Sequence, residues 1–224
     1  MEKASNIRKP QSITYVFAMI SLTSRKKAEA TSGGSAATQG RKASGPGNRE
    51  IARMLATDPE AGMRAMVGAY GEAIYWHLRH ILVNHDDTED AAQNTFIKVF
   101  NSRMEIRNPE SLKVWLYRIA TNEAIQLIRQ RHPADVSLDT EDALPPLAEL
   151  KAEAYVDYTD LEAVRLQEAI GQLPPKQRLT FTLRYYDELS YEEIAEVTGS
   201  TVGNAKVNYH ISKTKIKEYF KNNN

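Results

Sequence analysis

The chain has 224 residues, of which 42% are hydrophobic, enough for one medium domain or two small ones with a real core. It contains no cysteine, which excludes disulfides, thiolate metal sites and cysteine nucleophiles and suits a reducing cytosol. The 29 basic and 29 acidic side chains cancel, so the net charge indicates no partner. The charges are unevenly distributed along the chain. Segment 1–50 is basic, segment 132–158 is acidic and the C-terminus is rich in lysine.

Residues 1–50 are predicted to form a disordered basic extension. Residues 24–50 are rich in Ser, Gly, Ala, Thr and Lys, so they bury too little apolar surface to offset the entropy of ordering. The apolar run 13–22 is too short to span a bilayer. The basic cluster 25–27 follows where a signal cleavage site needs small neutral residues. We therefore expect no stable membrane insertion and a cytoplasmic location.

From residue 51 onward the apolar spacing is helical, without the alternation typical of strands. Capping residues mark three helix starts: Asp58 before Pro59, Asp87 or Thr88, and Asn108 before Pro109. The acidic stretch 132–158, with its double proline, is predicted to be an interdomain linker. The fold class is therefore all-α, with two small helical domains at 51–131 and 159–224.

A capping box opens a short helix near the C-terminus. Ser190 is followed three residues later by Glu193, so each can satisfy an otherwise unpaired amide of the first turn. The small Ala195 allows a crossing helix to approach, and Gly199 supplies a left-handed residue after the helix end. A second helix is predicted from near Thr201 to about residue 220.

This second helix has two faces. Inward positions recur every three or four residues: Val202, Ala205, Tyr209, Ser212, Ile216 and Tyr219. A basic stripe recurs with the same period on another face: Lys206, His210, Lys213 and Lys217. A short helix, a glycine turn and a basic second helix are typical of a helix-turn-helix that binds DNA. The alternative is an ordinary helical hairpin with solvated lysines.

The helix after Pro109 carries a polar stripe of Arg118, Thr121, Asn122 and Arg129. Such a stripe could line a nucleic-acid strand. Every amphipathic helix has a polar face, however, and by itself the stripe is more readily explained that way. Trp115 lies on the apolar face and is interpreted as a core residue.

At this point the sequence resembles a known family. The segments DTEDAAQNTF (87–96), WLYRIATN (115–122) and RQR (129–131) resemble the region-2 domain of extracytoplasmic-function sigma factors. The segments LPPKQR (173–178), RYY (184–186) and SYEEIAE (190–196) resemble the region-4 domain of the same family. The resemblance covers about residues 58–220, with the motifs in matching order.

The resemblance implies a factor that directs RNA polymerase to promoters and helps to open the DNA, while polymerase performs the chemistry. It implies contacts with the clamp helices of the largest polymerase subunit through Glu89, Asp90, Gln93 and Phe96. It implies minus-10 contacts through Arg118, Thr121, Asn122 and Arg129, with the loop 101–108 selecting a flipped base. Region 4 would dock on the flap of the second-largest subunit and bind the minus-35 element through Thr201, Asn204, Lys206, Val207 and His210.

The same resemblance implies no catalytic residue, metal, cofactor or small-molecule substrate, and an anti-sigma factor as a further partner by analogy. Some positions depart from the family pattern. Ser200 replaces an apolar residue beneath the turn, and Val207, Asn208 and Ile211 stand where Ser or Arg is common. A family minus-35 sequence is therefore not transferred to this chain.

Two other functions are compatible with parts of the sequence. A helix-turn-helix regulator that acts without polymerase explains the C-terminus but leaves segment 87–131 unexplained. A metal-dependent helical phosphohydrolase is suggested by a cluster that could bind a divalent ion: His77, His80, His85, Asp86 and Asp87. Asp86 and Asp87 stand at a predicted helix start, where acidic residues serve as caps, and this favours a structural role.

Overall fold

The computed structural model describes residues 45–82, 85–106, 108–131 and 161–223, and within these ranges every regular element is helical. The all-α prediction is confirmed. The elements are α1 (Asn48–Thr57), α2 (Pro59–Leu82), α3 (His85–Asn101), α4 (Leu112–Arg131), α5 (Leu161–Gly171), α6 (Pro175–Tyr185), α7 (Tyr191–Thr198) and α8 (Val202–Asn222), with 3-10 turns at Arg103–Glu105 and Pro109–Ser111. The predicted linker 132–158 and residues 1–44 of the predicted extension lie outside the described residues.

Two predicted helix starts are confirmed by their capping bonds. The amide of Ala61 donates to Oδ1 of Asp58 at 3.1 Å, and Pro59 is the first residue of α2. The amide of Glu110 donates to Oδ1 of Asn108 at 3.1 Å, which starts the 3-10 turn that continues into α4. No described helix combines the length and the apolar composition needed to cross a bilayer.

Two predicted boundaries were wrong. Helix α3 begins at His85, so Asp87 and Thr88 lie inside it, both buried, instead of capping it. Acidic side chains in the first turn complement the helix dipole from within the helix, which a sequence pattern does not distinguish from a cap. Helix α1 begins at Asn48 instead of residue 51, and the Asn48 side chain accepts a hydrogen bond from the Tyr70 hydroxyl.

The described residues fall into two compact units, one within residues 1–72 and 96–112 and one within residues 73–95 and 113–224. The domain boundaries at 51–131 and 159–224 stay a prediction. In the described part of the first unit, α1 buries Ile51 and Leu55. Gly62 on α2 lies against the backbone of Leu55, where a side chain would find no room.

The second unit contains the C-terminal helices α5 to α8. Leu173 is followed by the predicted break at Pro174 and Pro175, where α6 begins. The core of these helices is formed by residues from α5, α6 and α8 together with Leu173: Ala169, Ile170, Leu173, Phe181 and Ile216. Partly buried side chains surround this core: Leu166, Tyr186, Tyr209, Tyr219 and Phe220. This packing fixes α8 on the underlying helices and leaves one of its faces outward.

Candidate nucleic-acid interface

The first helix of the C-terminal pair is capped as predicted. The amide of Glu193 donates to the Ser190 hydroxyl at 3.2 Å, and the Ser190 amide donates to the Glu193 carboxylate at 2.7 Å. Gly199 ends α7 in the left-handed region, with φ of +66°. In that region a β-carbon would be strained, so glycine allows the sharp change of direction into α8.

Helix α8 starts one residue after its cap. The amide of Asn204 donates to the Thr201 hydroxyl at 3.1 Å. On the inward face, Ala205 and Ile216 are buried, and the buried Ser212 hydroxyl lies 3.0 Å from the carbonyl oxygen of Gln177 on α6. The predicted inward face is confirmed, and Ser212 joins α8 to α6.

The outward face of α8 carries the predicted basic stripe, and all four of its members are exposed: Lys206, His210, Lys213 and Lys217. Thr201 and Asn204 are exposed at the helix start. Val207 is also exposed, with 56% of its surface accessible. The structure therefore presents all five residues predicted to contact the minus-35 element, although the Thr201 hydroxyl already caps α8.

Two residues that the sequence did not single out complete this surface. The Arg184 guanidinium lies 5.1 Å from the centre of the Tyr191 ring, and the Lys206 ammonium lies 5.8 Å from the same ring. Tyr191 and Tyr209 meet edge to face at 6.1 Å, and Lys213 lies 5.8 Å from the Tyr209 ring. We call Arg184, Tyr191, Lys206, Tyr209 and Lys213 the aromatic-basic patch.

The patch holds its cations in place over aromatic rings, which favours a defined position for each positive charge. Burial, and then the neighbouring Tyr191, raise the pKa of Tyr209 above its ordinary value of 10.0. The sequence predicted Lys206 and Lys213 on one face of the helix but placed Tyr209 on the inward face. Arg184 and Tyr191 come from other elements, and only the tertiary fold brings them to that face.

The stripe on α4 is only partly as predicted. Arg118, Asn122 and Arg129 are exposed. Thr121 is 1% exposed, and its hydroxyl oxygen lies 3.0 Å from Nε2 of His77. The prediction that Thr121 stands on an exposed stripe was wrong, because position 121 lies at the edge of the polar face and α2 covers it.

The residues predicted to contact polymerase also divide into two groups. Asp90 is exposed, Glu89 and Gln93 are half-buried, and the Glu89 carboxylate lies 3.3 Å from the His85 ring. Phe96 is 1% exposed, so its prediction as a surface contact was wrong. Its spacing from Ala92 places it on the apolar face of α3, where burial of the ring stabilises the fold.

Two of the three histidines proposed as metal ligands, His77 and His85, are engaged in side-chain hydrogen bonds. His77 lies between Asp187 and Thr121, and Nδ1 of His85 lies 2.8 Å from the Tyr75 hydroxyl. Over the described ranges, no three His, Cys, Asp or Glu side chains converge in a way that could hold a metal ion. The histidine contacts therefore indicate structural roles.

Comparison with known proteins explains both helical segments. Residues 66–133 match the family described as Sigma-70 region 2, and residues 163–216 match the family described as Sigma-70, region 4. The chain is 33% identical to the ECF RNA polymerase sigma factor SigW of Bacillus subtilis (strain 168) over 153 residues, covering 65% of this chain and 81% of that protein. The chain belongs to the extracytoplasmic-function sigma factors of the sigma-70 family.

Further proteins that resemble this sigma factor in sequence or structure are consistent with this family. The RNA polymerase sigma factor SigV of Bacillus subtilis (strain 168) is 34% identical over 123 residues, which cover 55% of this chain and 69% of that protein. The structure of CnrH in complex with the cytosolic domain of CnrY has a TM-score of 0.58 at 18% identity, covering 79% of this chain and 99% of that one. The sigma factor RpoE of Bartonella quintana, in complex with the anti-sigma factor NepR, has a TM-score of 0.56 at 22% identity, covering 70% and 96%. These two structures support the fold.

The function of this sigma factor is promoter-directed transcription initiation. A regulator that acts without polymerase is not favoured, because it leaves the region-2 match at residues 66–133 unexplained. Sigma factors are not enzymes.

Proposed function

We propose that this sigma factor binds core RNA polymerase through the exposed part of α3 and binds promoter DNA through two separate surfaces. The aromatic-basic patch and the outward face of α8 form the upstream, minus-35 surface. The exposed stripe of α4 forms the minus-10 surface. The observation that carries the proposal is the outward face of α8, where the cations stand exposed on a helix fixed by its buried opposite face.

The upstream surface combines two kinds of contact. Lys206, Lys213 and Arg184 are placed to neutralise phosphates, which gives affinity and orientation but no sequence selectivity. Asn204, Val207 and His210 lie on the exposed side of α8, from which side chains reach base edges in the major groove. Thr201 contributes by capping the helix that carries them.

The minus-10 surface is assigned to Arg118, Asn122 and Arg129, which remain exposed along α4. Guanidinium and amide groups suit a single strand, whose phosphates and unpaired base edges are both accessible. Thr121 would act indirectly, because its hydroxyl is already bonded to His77. Unstacking the duplex costs a few kcal/mol per base step. Binding of the flipped base, together with contacts to the DNA backbone, would offset this cost.

Polymerase contacts are assigned to Glu89, Asp90 and Gln93, with Phe96 supporting the helix from inside. We propose the clamp helices of the largest subunit as the target of this surface and the flap of the second-largest subunit as the target of the C-terminal helices. The similar solved structure of the sigma factor RpoE holds the anti-sigma factor NepR, which supports an anti-sigma factor as a further partner. The role requires no metal, cofactor or small-molecule substrate, and it places the protein in the cytoplasm with polymerase.

In vitro transcription tests the proposal. Core polymerase with this chain is expected to produce discrete transcripts from a genomic promoter library, and core polymerase alone is not. Lys206→Ala should weaken binding of the holoenzyme to such a promoter and lower the salt slope of log K by about 1. Lys215→Ala is the matched control, since position 215 is exposed about 180° around the same helix. Absence of any chain-dependent transcript would refute the proposal, and equal effects of the two variants would refute the assigned face.

A further inference from the structure

Two cations from different helices approach the ring of Tyr191. Arg184 belongs to the last turn of α6, and its guanidinium lies 5.1 Å from the ring centre. Lys206 belongs to α8, and its ammonium lies 5.8 Å from the same centre. Tyr191 is the first residue of α7, so three helices supply the three side chains. We call Arg184, Tyr191 and Lys206 the shared-ring site.

The fold holds two members of the shared-ring site in place and leaves the third to the ring. The capping box fixes where α7 begins and therefore where Tyr191 stands. The Arg184 guanidinium donates to the carbonyl oxygen of Leu189 at 2.8 Å, and the Leu189 side chain is fully buried. Lys206 is exposed, and its ammonium forms no hydrogen bond or ion pair with any described residue. The Tyr191 ring is therefore what restricts the Lys206 ammonium.

The protein does not neutralise the two cations of the shared-ring site. Within the described ranges, no carboxylate lies within ion-pair distance of Arg184 or Lys206. An aromatic ring attracts a cation through its quadrupole, but it carries no net charge that could cancel the positive one. Two positive charges thus surround one ring, and an anion that bound both would be attracted by their summed field.

The anion that this arrangement suits is a phosphodiester group of duplex DNA. Lys206 stands on the outward face of α8 beside Val207 and His210, which are proposed to face base edges. A helix in the major groove has a sugar–phosphate backbone along each margin, so cations beside the base-reading residues meet phosphates. The oxygens of one phosphate can accept hydrogen bonds from a guanidinium and an ammonium together.

The neighbouring Tyr209 ring has a different role. It stacks on Phe181 with ring centres 5.8 Å apart and packs against the core of the C-terminal helices, while one cation, Lys213, approaches it. Tyr191 does not line that core. Among the described residues, the contacts of its ring are those with the two cations and the edge-to-face contact with Tyr209. These contacts favour a role for Tyr191 in placing charge over a role in packing.

We propose that Tyr191 is a positioning residue for promoter binding, whose ring holds Arg184 and Lys206 so that both act on one phosphate of the upstream DNA. This inference rests on the proposed function, because it concerns the minus-35 surface. A free lysine side chain loses rotamer freedom when it contacts a phosphate, and a ring that already restricts it lowers that entropic cost. The ring and the cations therefore contribute to affinity as a coupled unit.

The first test measures binding of the holoenzyme to a promoter over a range of salt concentrations. Tyr191→Leu changes no charge, yet it should weaken binding roughly 5- to 30-fold and lower the salt slope of log K by about 1. Tyr191→Phe and Tyr191→Trp retain an aromatic face and should bind within about 3-fold of the wild-type protein. Tyr185→Leu is the matched control, because Tyr185 is 51% exposed and no described cation approaches its ring. It should leave the slope unchanged.

A double-mutant cycle then measures the coupling. Lys206→Ala should weaken binding by its full amount in the wild-type protein but by less than about 2-fold when Tyr191→Leu is already present. A ring that only packs the start of α7 would leave the salt slope of Tyr191→Leu at the wild-type value. It would also let Lys206→Ala act equally in both backgrounds. Either result would overturn the positioning role.

The second test needs neither polymerase nor DNA. In the free full-length chain, the ε-methylene NMR signals of Lys206 are assigned by their absence from the Lys206→Ala spectrum. They should move toward those of a solvated lysine in Tyr191→Leu and stay in place in Tyr191→Phe. Unchanged signals in Tyr191→Leu, with circular dichroism confirming its helices, would overturn the proposal. Absence of any chain-dependent transcript would refute the proposed function instead, and the NMR comparison would still decide whether the ring holds Lys206.

Discussion

Gly62 of α2 lies so close to Leu55 of α1 that a β-carbon at position 62 would clash with the Leu55 amide nitrogen. No flexible side chain is there to yield, because the nearest atoms belong to the backbone. Gly62→Ala is therefore expected to lower the free energy of unfolding by about 1–3 kcal/mol, the typical cost of overpacking. Chemical denaturation followed by circular dichroism measures this change.

The same helix offers the control for that substitution. A β-carbon at Gly68 would meet no atom within 4 Å. Gly68→Ala should therefore stabilise the protein by up to about 1 kcal/mol, because alanine reduces the entropy lost when a helix forms. A Gly62→Ala protein as stable as Gly68→Ala would contradict the close approach of α1 and α2.

Gly199 and Gly203 provide a second contrast, within the helix-turn-helix. Gly199 has φ of +66°, which an L-residue reaches at a cost of about 1–2 kcal/mol, so Gly199→Ala should destabilise by that amount. Gly203 lies in regular helix, where a β-carbon would make only an ordinary contact at 3.8 Å, so Gly203→Ala should stabilise. Thermal unfolding of the two variants distinguishes these effects, and equal shifts would refute the left-handed turn.

Thr121 and Asn122 are neighbours with opposite expected roles. Thr121→Val leaves Nε2 of the buried His77 without its partner and should lower the unfolding free energy by about 1–3 kcal/mol. Asn122→Ala, at an exposed position, should leave stability unchanged while weakening open-complex formation. Denaturation and permanganate footprinting of the promoter measure the two effects. Normal stability in Thr121→Val would contradict the bond to His77.

The stability of the protein should depend on pH through His80. Burial lowers the pKa of His80 to about 4, partly offset by the Asp187 carboxylate, while His77 and Arg79 lower it further. Its ordinary pKa is 6.5, so below that value the unfolded chain takes up a proton that the folded chain refuses. The stabilisation is therefore complete above pH 6.5 and is lost as the pH falls toward 4, with a loss of up to about 2 kcal/mol at pH 5.

His80→Phe isolates this contribution. Phenylalanine can still stack on Tyr186 but cannot take up a proton, while all other titrating groups are retained. Urea denaturation at pH 7.5 and pH 5 should show a smaller loss of stability in the variant than in the wild-type protein. The same loss in both proteins would show that His80 is not the group responsible.

Local signals were the part of this structure that the sequence predicted well. The caps at Asp58 and Ser190, the glycine turn at Gly199 and the two faces of α8 each depend on residues a few positions apart. Such patterns are set by backbone hydrogen-bonding needs and helical periodicity, which act within one or two turns.

Long-range relations were not predictable in the same way. His77 and Asp187 are 110 positions apart, and nothing in the spacing of either residue indicates the other. Arg184 joins Lys206 on the Tyr191 ring for a similar reason, since three different elements supply the three side chains. The burial of Thr121 and Phe96 depends on which helix covers each position, and periodicity gives only the face.

The exposed Val207 has a consequence for how the protein chooses among DNA sequences. A valine carries no hydrogen-bonding group, and in the major groove the apolar feature of a base edge is the methyl group of thymine. In the proposed complex, Val207 would therefore discriminate by excluding water from that methyl group. Such an interaction depends little on ionic strength, whereas the lysine contacts weaken steeply as salt rises. The preference for thymine at that position should therefore persist at salt concentrations that weaken the overall affinity for DNA.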